Sequence, residues 1–194
     1  MNNLSTQDLI DSIRDGSDEA TNELIKIHID RVYAIVRLRL GRSLRNHMDS
    51  GDLVQESMLR VVGDLYKFKY QGEGSFIRWV AAIVENEIRN KAKFFNREKR
   101  KPSEIKDDSP GFHPLNSPSQ TLILKEDKFM LEKAINVLPE NYKEVILQRK
   151  YECLKFKEIA INLSLSEDGC RMLYGRAMVS LTKEFMRLND KYDS

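Results

Sequence analysis

Apolar residues recur every three or four positions along most of this 194-residue chain, the spacing of amphipathic helices. From Thr6 to about Gly41 the pattern predicts two helices, broken near Asp15-Gly16-Ser17, where a glycine and capping residues meet. Leu24, Ile25, Ile29, Val32, Ile35 and Val36 give the second of these a wide core face. Asp49-Ser50-Gly51 reads as the cap of a third helix, whose buried stripe is Val54, Met58, Val61, Val62 and Leu65. A fourth runs from about Ser75 to Phe95 on Ile77, Ala81, Val84 and Ile88. Periodicity then lapses through four prolines, Pro102, Pro110, Pro114 and Pro118, among serines and acids. It returns at Leu122, stops at Pro139, and resumes with Val145, Ile146 and Leu147. The fold class expected is all-α: two small helical domains, 1–101 and 122–188, joined by a flexible linker, 102–121.

Near the C-terminus the pattern becomes more specific. Phe156, Ile159, Ala160 and Leu163 share one face of a short helix. Ser164-Leu165-Ser166 interrupts it, and Ser166 is suited to cap the next helix, with Glu167 and Asp168 at that helix's positive end. Cys170, Leu173, Ala177 and Leu181 then form a buried stripe, leaving Arg171, Met172, Gly175 and Arg176 outside. A short helix, a tight turn and a second helix with outward cations is a helix-turn-helix able to enter a DNA major groove. An ordinary helical hairpin has the same periodicity.

The net charge of +2, with 32% charged and 41% hydrophobic residues, describes a globular chain and does not by itself announce a polyanionic partner. Its distribution does. Arg89, Lys91, Lys93, Arg97, Lys99, Arg100 and Lys101, with Glu98 the sole acid among them after Lys91, concentrate positive charge at the end of the fourth helix. Arg37, Arg39, Arg42 and Arg45 form a smaller cluster that reads as a solvated face. On the fourth helix Trp79, Asn86, Asn90, Lys93 and Arg97 line up on one side, and Lys67 to Phe76 alternates aromatic and basic residues before a glycine-rich loop. Rings and cations together suit single-stranded nucleic acid, where bases stack and phosphates are tracked; Trp79 as a core ring fits the same wheel. Asp52 and Glu56 share a helical face and suit a polar docking surface for a protein. His28, His47 and His113 lie at no ligand spacing, so no metal is expected. No nucleophile elbow, phosphate-binding glycine loop or zinc-protease motif occurs, so neither catalytic residues nor a cofactor is expected. Cys153 and Cys170, flanked by apolar helix positions, read as buried thiols. No apolar run is long enough to span a membrane and no signal-peptide start is seen, so a cytoplasmic protein without membrane insertion is expected.

Four segments in order resemble the extracytoplasmic-function class of bacterial RNA polymerase sigma factors, from about Leu9 to Phe185. Asp49 to Ser57 resembles its D-L-V-Q-E segment, Phe76 to Val80 with Asn86 its F-x-x-W-L…N helix, Leu138 to Val145 its L-P-x-x-x-R-x-V opening, and Glu158-Ile159-Ala160 with Ser166 to Leu181 its helix-turn-helix. The resemblance implies that Asp52, Leu53, Gln55 and Glu56 bind core RNA polymerase. It implies that Gly72, Glu73, Ser75, Trp79, Asn86, Lys93 and Arg97 hold the melted minus-ten strand. Lys143, Ser166, Arg171, Met172, Gly175 and Arg176 would meet duplex DNA at the minus-thirty-five element, and acidic Asp107 and Asp108 of the linker would mimic RNA. Promoter DNA, core polymerase and an anti-sigma factor are the partners implied. The family's turn glycine is Ser164 here, which predicts about 1 kcal/mol of strain if the left-handed geometry is kept. Gly169 and Cys170 replace its threonine-valine, Asn90 its aspartate and Lys143 its arginine. The competing readings are a dimeric helix-turn-helix regulator that binds a palindrome without polymerase, and a protein-binding helical adaptor that ignores DNA.

Overall fold

A computed structural model describes residues 4–40, 44, 48–98 and 121–190. The fold is all-α: eight α-helices and no strand occur among the described residues. Arg42, Arg45, Lys99, Arg100, Lys101 and the whole of 102–120, with Asp107 and Asp108, lie outside them, as do His47 and His113. None of the described helices is long and apolar enough to cross a membrane.

The chain divides into two units, Met1–Lys106 with Tyr151–Cys153, and Asp107–Lys150 with Leu154–Ser194. In the first, α1 (Thr6–Arg14) and α2 (Asp18–Arg39) are separated at Gly16, whose φ of 91° is open to glycine at little cost. Ser5 and Asp8 form a reciprocal capping box on α1, and the Ser17 hydroxyl accepts the Ala20 N–H at the start of α2. The Asp49 carboxylate caps α3 (Ser50–Asp64) through the Gly51 N–H. A 3₁₀ turn, Leu65–Lys67, leads toward the long α4 (Ser75–Glu98). Helix α2 packs on α1, α3 and α4, and α3 packs on α4. Leu24, Ile35, Leu38, Leu53 and Ile77 are among this unit's large, fully buried side chains.

The second unit contains α5 (Thr121–Asn136), α6 (Glu140–Ile146), α7 (Phe156–Leu163) and α8 (Glu167–Asp190), with α5, α6 and α7 each packed on α8. Ile135, Ile146, Leu147, Ile159, Cys170 and Ala177 fill its core. The buried Gln148 amide donates to Glu144 Oε1 at 2.6 Å, and Gln148 Oε1 accepts the Asn162 amide at 3.1 Å. A buried amide thus joined on both sides fixes α7 against the segment that follows α6.

Candidate nucleic-acid interface

Helix α4 carries the first site. Before it, Gly72 and Gly74 adopt φ of 93° and 76°, and the loop is closed by Ser75, whose hydroxyl accepts the Gln71 N–H at 3.1 Å and donates to the Gly72 carbonyl at 2.6 Å. Ser75 is therefore buried and its hydroxyl is used in holding the loop, while Glu73 is exposed and Gly72 half-exposed. Phe68 and Phe76 are core, and Trp79 rests on both, with ring centroids at 5.0 and 6.0 Å. The residue is half-buried, so the ring is held by packing against Phe68 and Phe76 while part of the side chain remains accessible. Asn86, Asn90, Lys93 and Arg97 are all exposed along the same ridge, which extends about 27 Å from Trp79 to Arg97 at the α-helical rise.

His28 stacks on Phe76 at 4.9 Å, and its Nε2 is buried without a hydrogen-bond partner among the described residues. Burial, and secondarily the Arg31 cation, push its pKa below the ordinary histidine value.

On α3, Asp52, Gln55 and Glu56 are exposed, but Leu53 is completely buried, so it stabilises the core and cannot meet a partner. Glu56 is not free either: Lys91 of α4 pairs with it at 2.8 Å. Arg60 of α3 pairs with the buried Glu87 of α4. Val62, expected in the core stripe, is 42% exposed because its neighbour Val61 takes the inward position. Leu59, Val62 and Tyr66 form an exposed apolar strip beside Asp52, Gln55 and Glu56. That strip was legible on a helical wheel once the inward stripe was assigned to Leu53, Val54, Ser57, Met58 and Val61.

The second site is a helix-turn-helix. Helix α7 ends with Ser164 at φ 55° and ψ 43°, where Leu165 N–H donates to the Ala160 carbonyl and Ser164 N–H to that of Ile161, the two bonds of a Schellman ending. Ser166 caps α8, its hydroxyl accepting the Gly169 N–H at 3.0 Å. Arg171, Met172, Gly175 and Arg176 all face outward from α8, and Lys143 stands half-buried on α6. Arg171 is committed within the unit: it pairs with Glu167 and lies 4.9 Å over the Phe156 ring, which Arg149 also approaches at 4.7 Å. Arg149 and Phe156 carried no distinct sequence signal, since their association with Arg171 arises only when α7 meets α8. Cys170 is buried, and that burial, with the Glu167 charge second, raises its thiol pKa; Cys153 is only half-buried.

The sigma-70 region 2 family model matches residues 24–100 and the sigma-70 region 4 model residues 128–181. The chain is 24% identical over 166 residues to the ECF RNA polymerase sigma-E factor of Haemophilus influenzae, covering 81% of this chain and 82% of that one. It is 20% identical over 190 residues to the RNA polymerase sigma-H factor of Pseudomonas aeruginosa, covering 94% of each. Among solved structures, the sigma factor RpoE in complex with the anti-sigma factor NepR from Bartonella quintana matches with a TM-score of 0.52 at 18% identity, over 88% of this chain and 98% of that one, a likeness of fold. With regions 2 and 4 in this order and spanning most of its length, the chain belongs to the extracytoplasmic-function class of sigma-70 factors, which bind core RNA polymerase and promoter DNA for transcription initiation.

Proposed function

We propose a division of labour between the two helical parts. Residues 1–101 dock on polymerase and capture the melted minus-ten strand, 102–121 act as the connector, and 122–188 read the minus-thirty-five duplex. Asp52, Gln55 and Glu56, with the Leu59–Val62–Tyr66 strip, form the polymerase-facing surface; an apolar centre with a charged rim is the usual composition of such contacts. Trp79 offers a half-buried ring already held by Phe68 and Phe76, so a flipped base can stack on it without first ordering the indole. Gly72 and Glu73 lie in the loop before α4, Ser75 sets the loop's shape, and Asn86, Lys93 and Arg97 supply edge and phosphate contacts. In the second part Arg176, exposed on α8, is suited to a guanine edge or phosphate. Arg171 is held in place by Phe156 and Glu167, Met172 offers an exposed apolar contact, Gly175 allows close approach, Ser166 caps the helix that enters the groove, and Lys143 adds a cation on α6. The polymerase supplies the chemistry. The chain itself acts without catalytic residue, metal or cofactor, in the cytoplasm, with an anti-sigma factor as its regulatory partner, as RpoE of Bartonella quintana is bound by NepR.

The half-buried, pre-stacked Trp79 at the head of an exposed polar and cationic ridge is the observation that carries the reading. Titration of core polymerase with labelled chain tests the docking part. Asp52→Lys is expected to weaken assembly at least tenfold while Trp79→Ala assembles normally, since a close charge pair across an interface is worth about 1.5 kcal/mol or more. Normal assembly by Asp52→Lys moves the docking surface elsewhere.

A further inference from the structure

We propose that Phe94 is a further nucleic-acid-contacting side chain of α4, setting its ring against a base or sugar of promoter DNA beyond the reach of Trp79. The inference rests on the strand-capturing role given to that helix above. Phe94 is 56% exposed, whereas its neighbour Phe95 is half-buried and meets it edge-on at 5.9 Å. Exposure of one ring alone decides nothing, because single apolar side chains are common on protein surfaces. Its company decides more. Asn90 precedes Phe94 by four residues and Arg97 follows by three, so the ring sits on a ridge between an uncharged amide and a guanidinium, with Lys93 adjacent.

Arg78, near the start of α4, donates to the Cys153 carbonyl; the cations from Arg89 onward fall into two groups. Arg89 is tied to Glu85 and Lys91 to Glu56, while Lys93 and Arg97 are exposed and have no ion pair among the described residues. The two uncommitted cations are the ones that flank Phe94. A second copy of this chain would set cation against cation there. A nucleic acid brings phosphates for Lys93 and Arg97 and a flat face for Phe94 at once. Fifteen residues separate Trp79 from Phe94, about 22 Å along the helix. The two rings therefore contact different nucleotides, at most about six steps of duplex rise apart. An aromatic at this distance can stack on an unpaired base or wedge at a base step.

The test uses holoenzyme reconstituted with core polymerase and promoter fragments it selects from genomic DNA, with 2-aminopurine placed in turn through the melted segment and the duplex flanking it. Phe94→Leu, which keeps an apolar side chain without the ring, is expected to assemble with core as wild type does. It should weaken promoter binding about tenfold, the order of one lost base stack. It should also change 2-aminopurine fluorescence at a position distinct from that altered by Trp79→Ala and within about six steps of it. Phe94→Tyr should restore both. If Trp79→Ala impairs promoter binding and Phe94→Leu does not, the inference is overturned and the role of α4 stands. Should Phe94→Leu instead lose core binding, the ring is a protein contact and the inference fails. If neither substitution affects promoter binding, the strand-capturing reading falls with it.

Discussion

Ser164 is a sharp test of how the helix-turn-helix is held. At φ 55° and ψ 43° its Cβ is forced close to the backbone, a conformation that costs an L-residue about 1–2 kcal/mol and costs glycine little. The conformation persists because two backbone hydrogen bonds, from Leu165 to Ala160 and from Ser164 to Ile161, require it. Ser164 is exposed and its hydroxyl has no hydrogen bond among the described residues, so Ser164→Gly loses no side-chain contact. Against the relieved strain stands the greater freedom of glycine in the unfolded chain, about 0.5–1 kcal/mol. The net expectation is stabilisation by about 0.5–1 kcal/mol, which for a unit of this size raises Tm by about 2–8 °C. Far-UV circular dichroism melts of the full chain give the shift, and hydrogen exchange at the amides of α7 and α8 assigns it to this unit. Ser164→Ala, which keeps the Cβ, should match wild type. A glycine variant no more stable than the alanine one refutes the strain argument.

Other consequences are equally specific. Gln148→Leu removes the amide that joins Glu144 to Asn162 and should destabilise the C-terminal unit by about 1–3 kcal/mol, read by urea unfolding; an unchanged midpoint would show that the buried network contributes nothing. Because burial and Arg31 lower the His28 pKa, the unfolded chain binds more protons than the folded one at acid pH, so the stability tied to His28 is full above about pH 6.5 and declines as pH falls below it. His28→Phe, which preserves a ring against Phe76, should flatten the Tm-versus-pH slope between pH 7 and 5, and a slope identical to wild type would remove His28 as its source. Arg176→Ala in holoenzyme should weaken promoter binding and lower the salt slope by about one if the residue meets a phosphate; an unchanged slope with relaxed base preference would mark a base contact instead.

Much of the fold could be read along the chain because its helices obey a simple rule. The stripe Cys170, Leu173, Ala177, Leu181 faces inward on α8 as its spacing requires, with Leu173 only partly covered, and Ser166 caps that helix as its position before two acids suggests. The glycine substituted at Ser164 identified a left-handed position, and the backbone keeps it. Where apolar residues occur side by side, periodicity loses resolution. Val61 and Val62 cannot both face inward, and the choice depends on how α3 sits against α2 and α4. Leu53 lies between exposed Asp52 and buried Val54 for the same reason: a contiguous motif wraps round a helix, so only part of it can meet a partner. Phe68, one of the rings that alternate with lysines, is core beneath Trp79. Longer-range pairings left no local trace. Glu56 and Lys91 are 35 residues apart, and the Arg149–Phe156–Arg171 stack draws on three segments.

The most direct measurement is promoter opening in a purified system. The chain and core polymerase are combined with a pool of genomic fragments, and permanganate footprinting with transcript mapping scores strand opening, alongside Trp79→Ala. Defined start sites and reactive thymines should occur only when both components are present, and Trp79→Ala should bind core yet leave the DNA closed. A chain that never associates with core but shifts duplex DNA on its own would contradict the division of labour and favour a regulator that binds DNA without polymerase.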